Sequence, residues 1–394
     1  MYNKSKPKNG FREKLRGVHM IFKEFNVIFT DRIEKMSIQV IDGKIVSMNP
    51  DFSNDEEIIE GNDRYLSPGY VDIHIHGAGN HDTMEGTFEA LETISNTIAK
   101  HGTTSFLPTT MTVSVEEIRK AVEAIKEAKE KVTGATIAGI HLEGPFISEH
   151  AIGAQNPNYV IRPTKESFLD MVGEHIDLIK NITMAPEVEG ALTLAPYLRQ
   201  HGVNVSMGHT VASYEQAMDG IHHGFNHSTH LFNAMSPFTH RTPGVVGAIF
   251  DTDVTTETIS DGIHVSYPSL RTAYKVKGSD KTLLITDAMM ACGMPDGTYS
   301  LGGQKVISKE GAARLESGAL AGSILTMDKA VQNVYKNTAL PLYEVIKMAS
   351  YNGAKFSGID NVKGKIALNY DADLLILSED LEVQHVFIEG RKFL

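Results

Sequence analysis

The sequence predicts an α/β fold: a (β/α)8 TIM-type barrel with a small discontinuous β-sandwich domain formed by the N- and C-terminal segments. Short apolar runs rich in β-branched residues alternate with helix-like patterns through the middle of the chain. Short β patterns without helices between them occupy both ends. Polar residues recur directly after the apolar runs, which is where a barrel of this class carries its active site.

The terminal β patterns include the hairpin signal Asp42-Gly43 near one end and the run 383–388 near the other. Because chain termini often lie close together, the two groups of strands can pair. The expected units are a basic tail at 1–19, a β-sandwich domain from 20–67 and 362–394, and a catalytic barrel at 68–361. The tail is polar and lacks the apolar segment of a secretory signal, so we expect it to be disordered or a cloning remnant.

Eight apolar runs in the middle of the chain predict the barrel strands. In order they are residues 71–74, 104–107, 136–143, 182–185, 203–206, 225–228, 256–259 and 283–286. Eight strands with helical crossovers is the count of a (β/α)8 barrel, and a doubly wound α/β sheet is the alternative.

Helical patterns lie between and after these runs. One helix is expected at 88–100, where apolar residues recur at helical spacing, and another follows the capping box Ser114-x-x-Glu117. The other helices are expected at 192–200, 214–222, 269–275, 323–335 and 342–350. A glycine-rich hairpin insertion is expected at 298–320.

Composition limits the function classes. The formal net charge of −12 argues against nucleic acid or an anionic membrane as the main partner. No apolar run reaches the length of a membrane span. Cys292 is the only cysteine, so no disulfide can form within one chain, and a reducing, cytoplasmic location is expected. We expect Cys292 to be a small buried hydrophobe rather than a nucleophile.

The segment His141-Leu142-Glu143-Gly144-Pro145-Phe146 places a carboxylate at the end of a buried strand. The preceding residues 136–140 are apolar and β-branched, and Gly144-Pro145 ends the run. A buried carboxylate is costly unless a cation pairs with it. Since no Lys or Arg lies nearby in the sequence, a metal ion is the expected partner, and a solvated acidic strand end is the alternative.

Four histidines and two carboxylates follow the predicted strands at corresponding positions. His74 and His76 end the first strand, Glu143 ends the third, His209 follows the fifth, His230 follows the sixth and Asp287 ends the eighth. Because the carboxyl ends of barrel strands share one face, these side chains should converge. The donor set predicts one or two divalent ions, with zinc first and iron or manganese as alternatives. The remaining histidines are expected to be solvated or structural, among them His101, His150, His175, His201, His222 and His223.

Several motifs resemble those of the amidohydrolase superfamily, and within it the deacetylases of amino-sugar phosphates. They lie at residues 68–77, 141–146, 208–210, 229–235 and 286–289, and the resemblance runs from about residue 25 to the end. The stretches His-Leu-Glu-Gly-Pro and Thr-His-Leu-Phe-Asn-Ala-Met are much more specific than the His-x-His pair, which many amidohydrolases share.

This resemblance implies roles for the clustered residues. Glu143, His209 and His230 would form the main metal site, with Glu143 bridging to a second ion on His74 and His76. Asp287, beside the metal, would be the catalytic base and acid. The implied substrate-binding residues are Gln155, Asn233, Ala234, Arg241 and His264. Some relatives carry a histidine at the position of Gln155, and because a glutamine cannot titrate, no proton transfer is expected there.

The resemblance also implies a reaction, the hydrolysis of the acetamide of N-acetylglucosamine 6-phosphate to acetate and glucosamine 6-phosphate. The expected partner is therefore a small amino-sugar phosphate, and the expected assembly is a homodimer. One alternative is another amidohydrolase that acts on a cyclic amide or a nucleobase. A second is an inactive sugar-phosphate sensor, against which the presence of Asp287 argues, since a sensor needs no base.

Overall fold

The computed structural model describes residues 19–51 and 57–394, so the predicted tail falls, except for His19, outside the described residues. The strands before the middle of the chain are β1 (His19–Ile28), β2 (Ile33–Ile41), β3 (Lys44–Met48), β4 (Glu57–Glu60), β5 (Tyr65–Pro68), β6 (Tyr70–Ile75), β7 (Gly77–Ala78), β8 (His81–Asp82), β9 (Thr103–Pro108), β10 (Thr136–Ile137) and β11 (Ile140–Glu143). The later strands are β12 (Ile179–Met184), β13 (Asn204–Met207), β14 (His227–Ser228), β15 (Thr255–Ile259), β16 (Thr282–Ile285), β17 (Gly297–Leu301), β18 (Gln304–Lys309), β19 (Ala312–Leu315), β20 (Leu374–Leu377), β21 (Val383–Ile388) and β22 (Arg391–Lys392).

Four of the described helices begin directly after a residue whose side chain caps them, at Thr87, Ser114, Thr164 and Ser213. The helices are α1 (Phe88–Ala99), α2 (Val115–Ala128), α3 (Lys165–Val172), α4 (Ala191–Gln200), α5 (Tyr214–His222), α6 (Gly244–Asp251), α7 (Tyr267–Lys277), α8 (Met327–Asn337), α9 (Leu342–Ala349) and α10 (Tyr351–Ser357). Ser114 caps α2 in the predicted capping box with Glu117. In the part of the chain that the structure describes, no helix has both the length and the apolar content needed to cross a bilayer.

The two ends of the chain pair in one mixed sheet. Its strand order is β22-β21-β20-β5-β1-β2-β3, and β4 also pairs with β1. The link between the ends is the antiparallel pair of β5 with β20, in which Leu66 lies opposite Ile376. Phe22, Phe25 and Phe387 are fully or almost fully buried in the core beside this sheet. The predicted pairing of the terminal β patterns is thus present.

The middle of the chain forms two parallel sheets, of order β10-β9-β6 and β11-β12-β13-β14-β15-β16. Isolated parallel bridges join Thr109 to His141 and Ile75 to Ala288, so the two sheets meet on both sides. Each of the eight predicted runs contains strand structure. The protein is therefore a mixed α/β fold with parallel strands at its centre.

The structure departs from the predicted elements at several points. The third run is interrupted at residues 138–139 and forms β10 and β11, and only the last two residues of the run 225–228 pair as β14. Helices α3, α6 and α10 were not predicted. In α6 the sequence Gly-Val-Val-Gly has low helix propensity, and burial of its valines against the core outweighs this preference. Helix α8 begins at Met327, four residues later than predicted.

The predicted hairpin insertion forms the three-stranded antiparallel sheet β17-β18-β19. Its first turn, Gly302-Gly303, needs left-handed backbone angles at both residues, with φ of 55° and 78°. Next to this turn, the side-chain amide of Gln304 donates to the carbonyl oxygen of Ala154 at 2.6 Å. The insertion is thereby fastened to the loop that follows Glu143.

Candidate active site

The six predicted cluster residues converge at the carboxyl ends of the parallel strands. His74 lies in β6 and Glu143 ends β11, while the other four lie in the segments directly after β6, β13, β14 and β16. All six are buried, with exposed fractions of 0–8%. Two groups have ligand atoms close enough to share an ion: Glu143 with His209 and His230, and His74 with His76 and Asp287.

Glu143 is at the centre of the first group. Its Oε1 lies 3.0 Å from Nε2 of His230 and 3.2 Å from Nε2 of His209. The two histidine Nε2 atoms are 3.2 Å apart. Two imidazole nitrogens and a carboxylate oxygen that face one point are the donors that zinc, iron or manganese accepts.

The second group lies on the other side of Glu143. Oε2 of Glu143 is 3.2 Å from Nε2 of His76, and Oδ1 of Asp287 is 3.3 Å from the same nitrogen. Nε2 of His74 is 3.4 Å from Glu143 and 3.5 Å from Asp287 and has no hydrogen-bond partner although it is fully buried. A buried ring nitrogen that faces two carboxylates without a hydrogen bond fits a divalent ion, so the residues present fit the metal that the sequence predicts.

The charges of this cluster shift its protonation equilibria. Burial alone lowers the pKa of His76, but hydrogen bonds to Asp287 and Glu143 and their charges outweigh burial and raise it to about 9. Burial alone would raise the pKa of Glu143, yet the charge of His74 and hydrogen bonds from His209 and His230 hold it well below its usual value. The pKa of Asp287 is also lowered, because His74 and His76 outweigh its burial. Both acids are therefore ionised at neutral pH.

Hydrogen bonds on the outer side of the rings fix their orientation. Nδ1 of His76 lies 3.2 Å from the carbonyl oxygen of Thr109, and Nδ1 of His209 lies 2.9 Å from that of Ala151. A carbonyl oxygen only accepts, so in both rings Nδ1 donates and Nε2 faces the cluster, where the lone pair of the neutral ring can bind an ion.

The backbone at the site is strained. His209, His230 and Asp287 have left-handed φ values of 48°, 27° and 49°. Such values are unfavourable for residues with a Cβ and persist where the surrounding structure enforces them, most often at functional sites. Gly208 precedes His209 because a Cβ there would lie 2.7 Å from both Thr183 Cγ2 and Thr229 Cβ.

A cavity of about 390 Å³ opens directly onto the cluster. This volume is in the range of small-molecule sites. Its lining includes the apolar residues Met111, Ile152, Leu301 and Leu320, the last two from the insertion and the segment after it. It also includes five of the six cluster residues, all except His74, so the cavity offers both apolar and polar contacts to a ligand.

Four of the five predicted substrate-binding residues line this cavity, namely Gln155, Asn233, Ala234 and His264. Nδ1 of His264 is 2.7 Å from Oδ2 of Asp261, which orients the ring. Arg241 is not among the lining residues, and it lies exposed in the loop before α6. Its predicted contact with substrate thus remains a prediction.

Gln155 contacts the cluster itself. Its amide nitrogen donates to Oε2 of Glu143 at 2.7 Å, and its amide oxygen accepts from the backbone nitrogen of Thr112 at 2.7 Å. The side chain is 4% exposed. Both hydrogen-bonding ends of Gln155 are thus engaged by the protein, and one of them holds the central carboxylate.

Sequence reasoning missed two further residues. His150 was expected to be solvated or structural, but it lines the cavity from the loop after β11. Glu257 is fully buried in β15 and lies 2.9 Å from Nδ1 of His74. The sequence could have identified Glu257, because it is a glutamate inside an otherwise buried strand and a buried carboxylate needs a partner.

Cys292 is buried as predicted. Burial raises the pKa of its thiol to about 12, so it is a thiol at neutral pH rather than a nucleophilic thiolate. It does not line the cavity at the cluster.

Comparison with known proteins agrees with this geometry. Residues 65–392 match the Amidohydrolase family. The N-acetylglucosamine-6-phosphate deacetylase of Lysinibacillus sphaericus is 40% identical over 376 residues, which span 94% of this chain and 97% of that protein. The enzyme of the same name from Bacillus subtilis (strain 168) is 39% identical, with coverages of 92% and 94%.

A solved structure has the same fold. The N-acetylglucosamine-6-phosphate deacetylase from Pasteurella multocida superimposes with a TM-score of 0.90 at 31% identity, over 95% of this chain and 99% of that one. The family match covers most of the chain, and the curated relatives are similar over nearly their full length. The chain therefore belongs to the amidohydrolase family.

Proposed function

We propose that this protein hydrolyses N-acetylglucosamine 6-phosphate to glucosamine 6-phosphate and acetate, in amino-sugar catabolism. The observation that carries the proposal is the buried group of Glu143, His209 and His230, which opens onto a cavity of small-molecule size. The relatives of 40% and 39% identity bear the name of this activity, and they are matched over almost their whole length.

We propose that Glu143, His209 and His230 hold one divalent ion and that His74, His76 and Asp287 hold a second, with Glu143 between them. Zinc is the first choice, and iron or manganese would suit the same donors. Bound divalent metal supplies a water nucleophile near neutral pH and polarises the amide carbonyl. Gln155 keeps Glu143 in place from the side opposite to the histidines of its group.

Asp287 is the proposed general base and acid. Its carboxylate is ionised, lines the cavity and is held beside His76 at 3.3 Å. It can take a proton from water as the oxygen bonds to the carbonyl carbon. It can then give that proton to the amide nitrogen as the C–N bond breaks, which turns a poor leaving group into an amine. One water is consumed, and acetate and the amino sugar leave.

The phosphate is proposed to bind at the side of the cavity where His264 lies. Asp261 accepts from Nδ1 of His264 and orients the ring, and Nε2 of the protonated ring can donate to an anion. Asn233 and Ala234 follow His230 and line the same cavity, where they can contact the sugar. Arg241 is proposed as a further phosphate ligand, although its exposed position means that this loop must approach the substrate.

A specific comparison favours one alternative substrate. The N-acetylgalactosamine-6-phosphate deacetylase of Escherichia coli O157:H7 is 34% identical over 91% of this chain. That sugar differs from N-acetylglucosamine in the configuration at one carbon. Because three bacterial enzymes with the glucosamine name are more similar in sequence, at 37–40% identity, we favour N-acetylglucosamine 6-phosphate.

Four structural expectations stay proposals. The parallel strands are proposed to close into a (β/α)8 barrel, which the bridges at Thr109–His141 and Ile75–Ala288 support. Residues 20–67 with 362–394 are proposed as the separate β domain, supported by the sheet that pairs both chain ends. A homodimer and a cytoplasmic location complete the proposal, the latter supported by the single buried cysteine.

The test is acetate release by metal-loaded protein from four substrates: the 6-phosphates of N-acetylglucosamine and N-acetylgalactosamine and the two sugars without phosphate. The proposal predicts the highest kcat/KM for N-acetylglucosamine 6-phosphate. A higher value for the galactosamine epimer would favour the alternative. If none of the four substrates released acetate, the result would contradict deacetylation.

A further inference from the structure

Glu257 occupies an unusual position, since its carboxylate is fully buried beneath the cluster without lining the cavity. Oε2 accepts from the backbone nitrogen of His230 at 3.1 Å and lies 2.9 Å from Nδ1 of His74. Oε1 lies 3.2 Å from Nε2 of His227. One side chain thus contacts β6, β14 and the segment that carries His230.

The contact with His74 determines which ring nitrogen carries the proton. An ionised carboxylate only accepts, so Nδ1 of His74 must donate. When the ring is neutral, as it must be to bind an ion, its lone pair is therefore on Nε2, the nitrogen that faces Glu143 and Asp287 at 3.4 and 3.5 Å. Ligand histidines in metalloproteins commonly donate their other nitrogen to a carboxylate in this way.

His227 supports the carboxylate from the other side. Its Nδ1 lies 2.6 Å from Oγ1 of Thr255, a neighbour in β15, and its ring is fully buried. Because an ionised carboxylate only accepts, Nε2 of His227 donates to Glu257. Glu257 therefore has a partner on each oxygen, and no other acid in the described chain is in contact with Nδ1 of His74.

We propose that Glu257 is a positioning residue that fixes the tautomer and the ring orientation of His74 and thereby sets the affinity of the His74, His76 and Asp287 group for its metal. The proposal rests on the metal centre of the proposed function. It differs from direct ligation, for which Glu257 would have to share an ion with His74 and His141, the third group whose ligand atoms lie close together.

The variant E257Q tests the proposal because it keeps the size of the side chain and removes its charge. The matched control is D373N, the same acid-to-amide change at a buried carboxylate directly before β20, 2.7 Å from Nζ of Lys363. Zinc affinity and stoichiometry are measured by chelator competition, and thermal unfolding is recorded for both. We expect the zinc affinity of the group of His74, His76 and Asp287 to fall about 10–100-fold in E257Q and to stay unchanged in D373N.

The proposal would be overturned if E257Q bound zinc as tightly as the wild type. It would also be overturned if D373N lost as much zinc affinity as E257Q, because an equal loss would indicate general destabilisation. If E257Q does not fold, ¹⁵N-histidine NMR of the zinc-loaded wild type tests the proposal instead. The variant H74Q is used to assign the signals of His74. The proposal predicts a proton on Nδ1 of His74. A His74 ring without a proton on Nδ1 would overturn the proposal and would indicate that an ion is bound at Nδ1. A wild type that binds no divalent metal would overturn the proposed metal centre as well.

Discussion

Oε1 of Glu143 lies 3.0 Å from Nε2 of His230, although the two residues are 87 positions apart in the sequence. Glu143 ends β11, and His230 follows β14, three strands further along the same parallel sheet. The contact exists because parallel strands bring their carboxyl ends to one side. It joins the two most specific motifs of the sequence in a single buried site.

Removing the His-x-His pair tests the number of metal ions. His74 and His76 belong to the second group, whereas Glu143, His209 and His230 form the first. The wild type loaded with divalent metal should therefore hold more than one ion per chain, and the double variant H74A/H76A should hold one. Elemental analysis after removal of free metal measures this ratio. A wild-type ratio that never exceeds one in excess metal would contradict the binuclear arrangement.

Replacing Asp287 by asparagine tests its proton-transfer role. The variant D287N should fold and keep much of the substrate affinity, but lose about 10²–10⁴-fold in kcat, the usual effect of removing a general acid–base. The pKa of Asp287 is held below its ordinary value, so wild-type activity should fall only when acid pH protonates this carboxylate. That acidic limb should be absent in D287N. A kcat close to the wild type would exclude Asp287 from the reaction.

Arg241 and the phosphate can be tested together. A charge-assisted hydrogen bond contributes about 1.5–3 kcal/mol, so R241A should lower kcat/KM for the phosphorylated sugar by roughly one to two orders of magnitude. Turnover of the sugar without phosphate should change little. Steady-state kinetics on both substrates gives the ratio. An equal loss on both would mean that Arg241 supports the fold or the metal site instead.

The close packing around Gly208 predicts a stability effect. In G208A the new Cβ would meet Thr183 and Thr229 at 2.7 Å, and both are fully buried. Such overpacking typically costs about 1–3 kcal/mol of unfolding free energy. Chemical denaturation measures the loss, with G297A in the insertion as control, where the nearest atom is the Tyr299 ring at 3.3 Å. Equal stabilities for both variants would contradict this packing argument.

The sequence predicted the strand positions well, because runs such as 283–286 are apolar and β-branched and are bounded by helical patterns. The convergence of the six cluster residues also follows, since all of them lie at the end of such a run or directly after it. Helix α6 could not be predicted, because tertiary burial rather than local propensity stabilises it.

Local sequence patterns did not predict the contacts that surround the clustered residues. Glu257 is 183 positions from His74, and nothing in the sequence pairs them. Gln155 could be placed near the site, but only the structure shows that its amide holds Glu143. Arg241 follows a strand as the substrate-binding residues do, yet the loop before α6 carries it to the surface. Such contacts depend on loop paths, which local sequence patterns do not determine.

The most direct test of the account measures acetate release from N-acetylglucosamine 6-phosphate as a function of bound metal. The same protein is assayed after chelator treatment, and again after stepwise reloading with zinc. We predict that turnover is lost with the metal, returns in proportion to the ions bound, and is much higher with the 6-phosphate than with the plain sugar. Acetate release that does not depend on bound metal, or none from the fully loaded protein, would contradict the account.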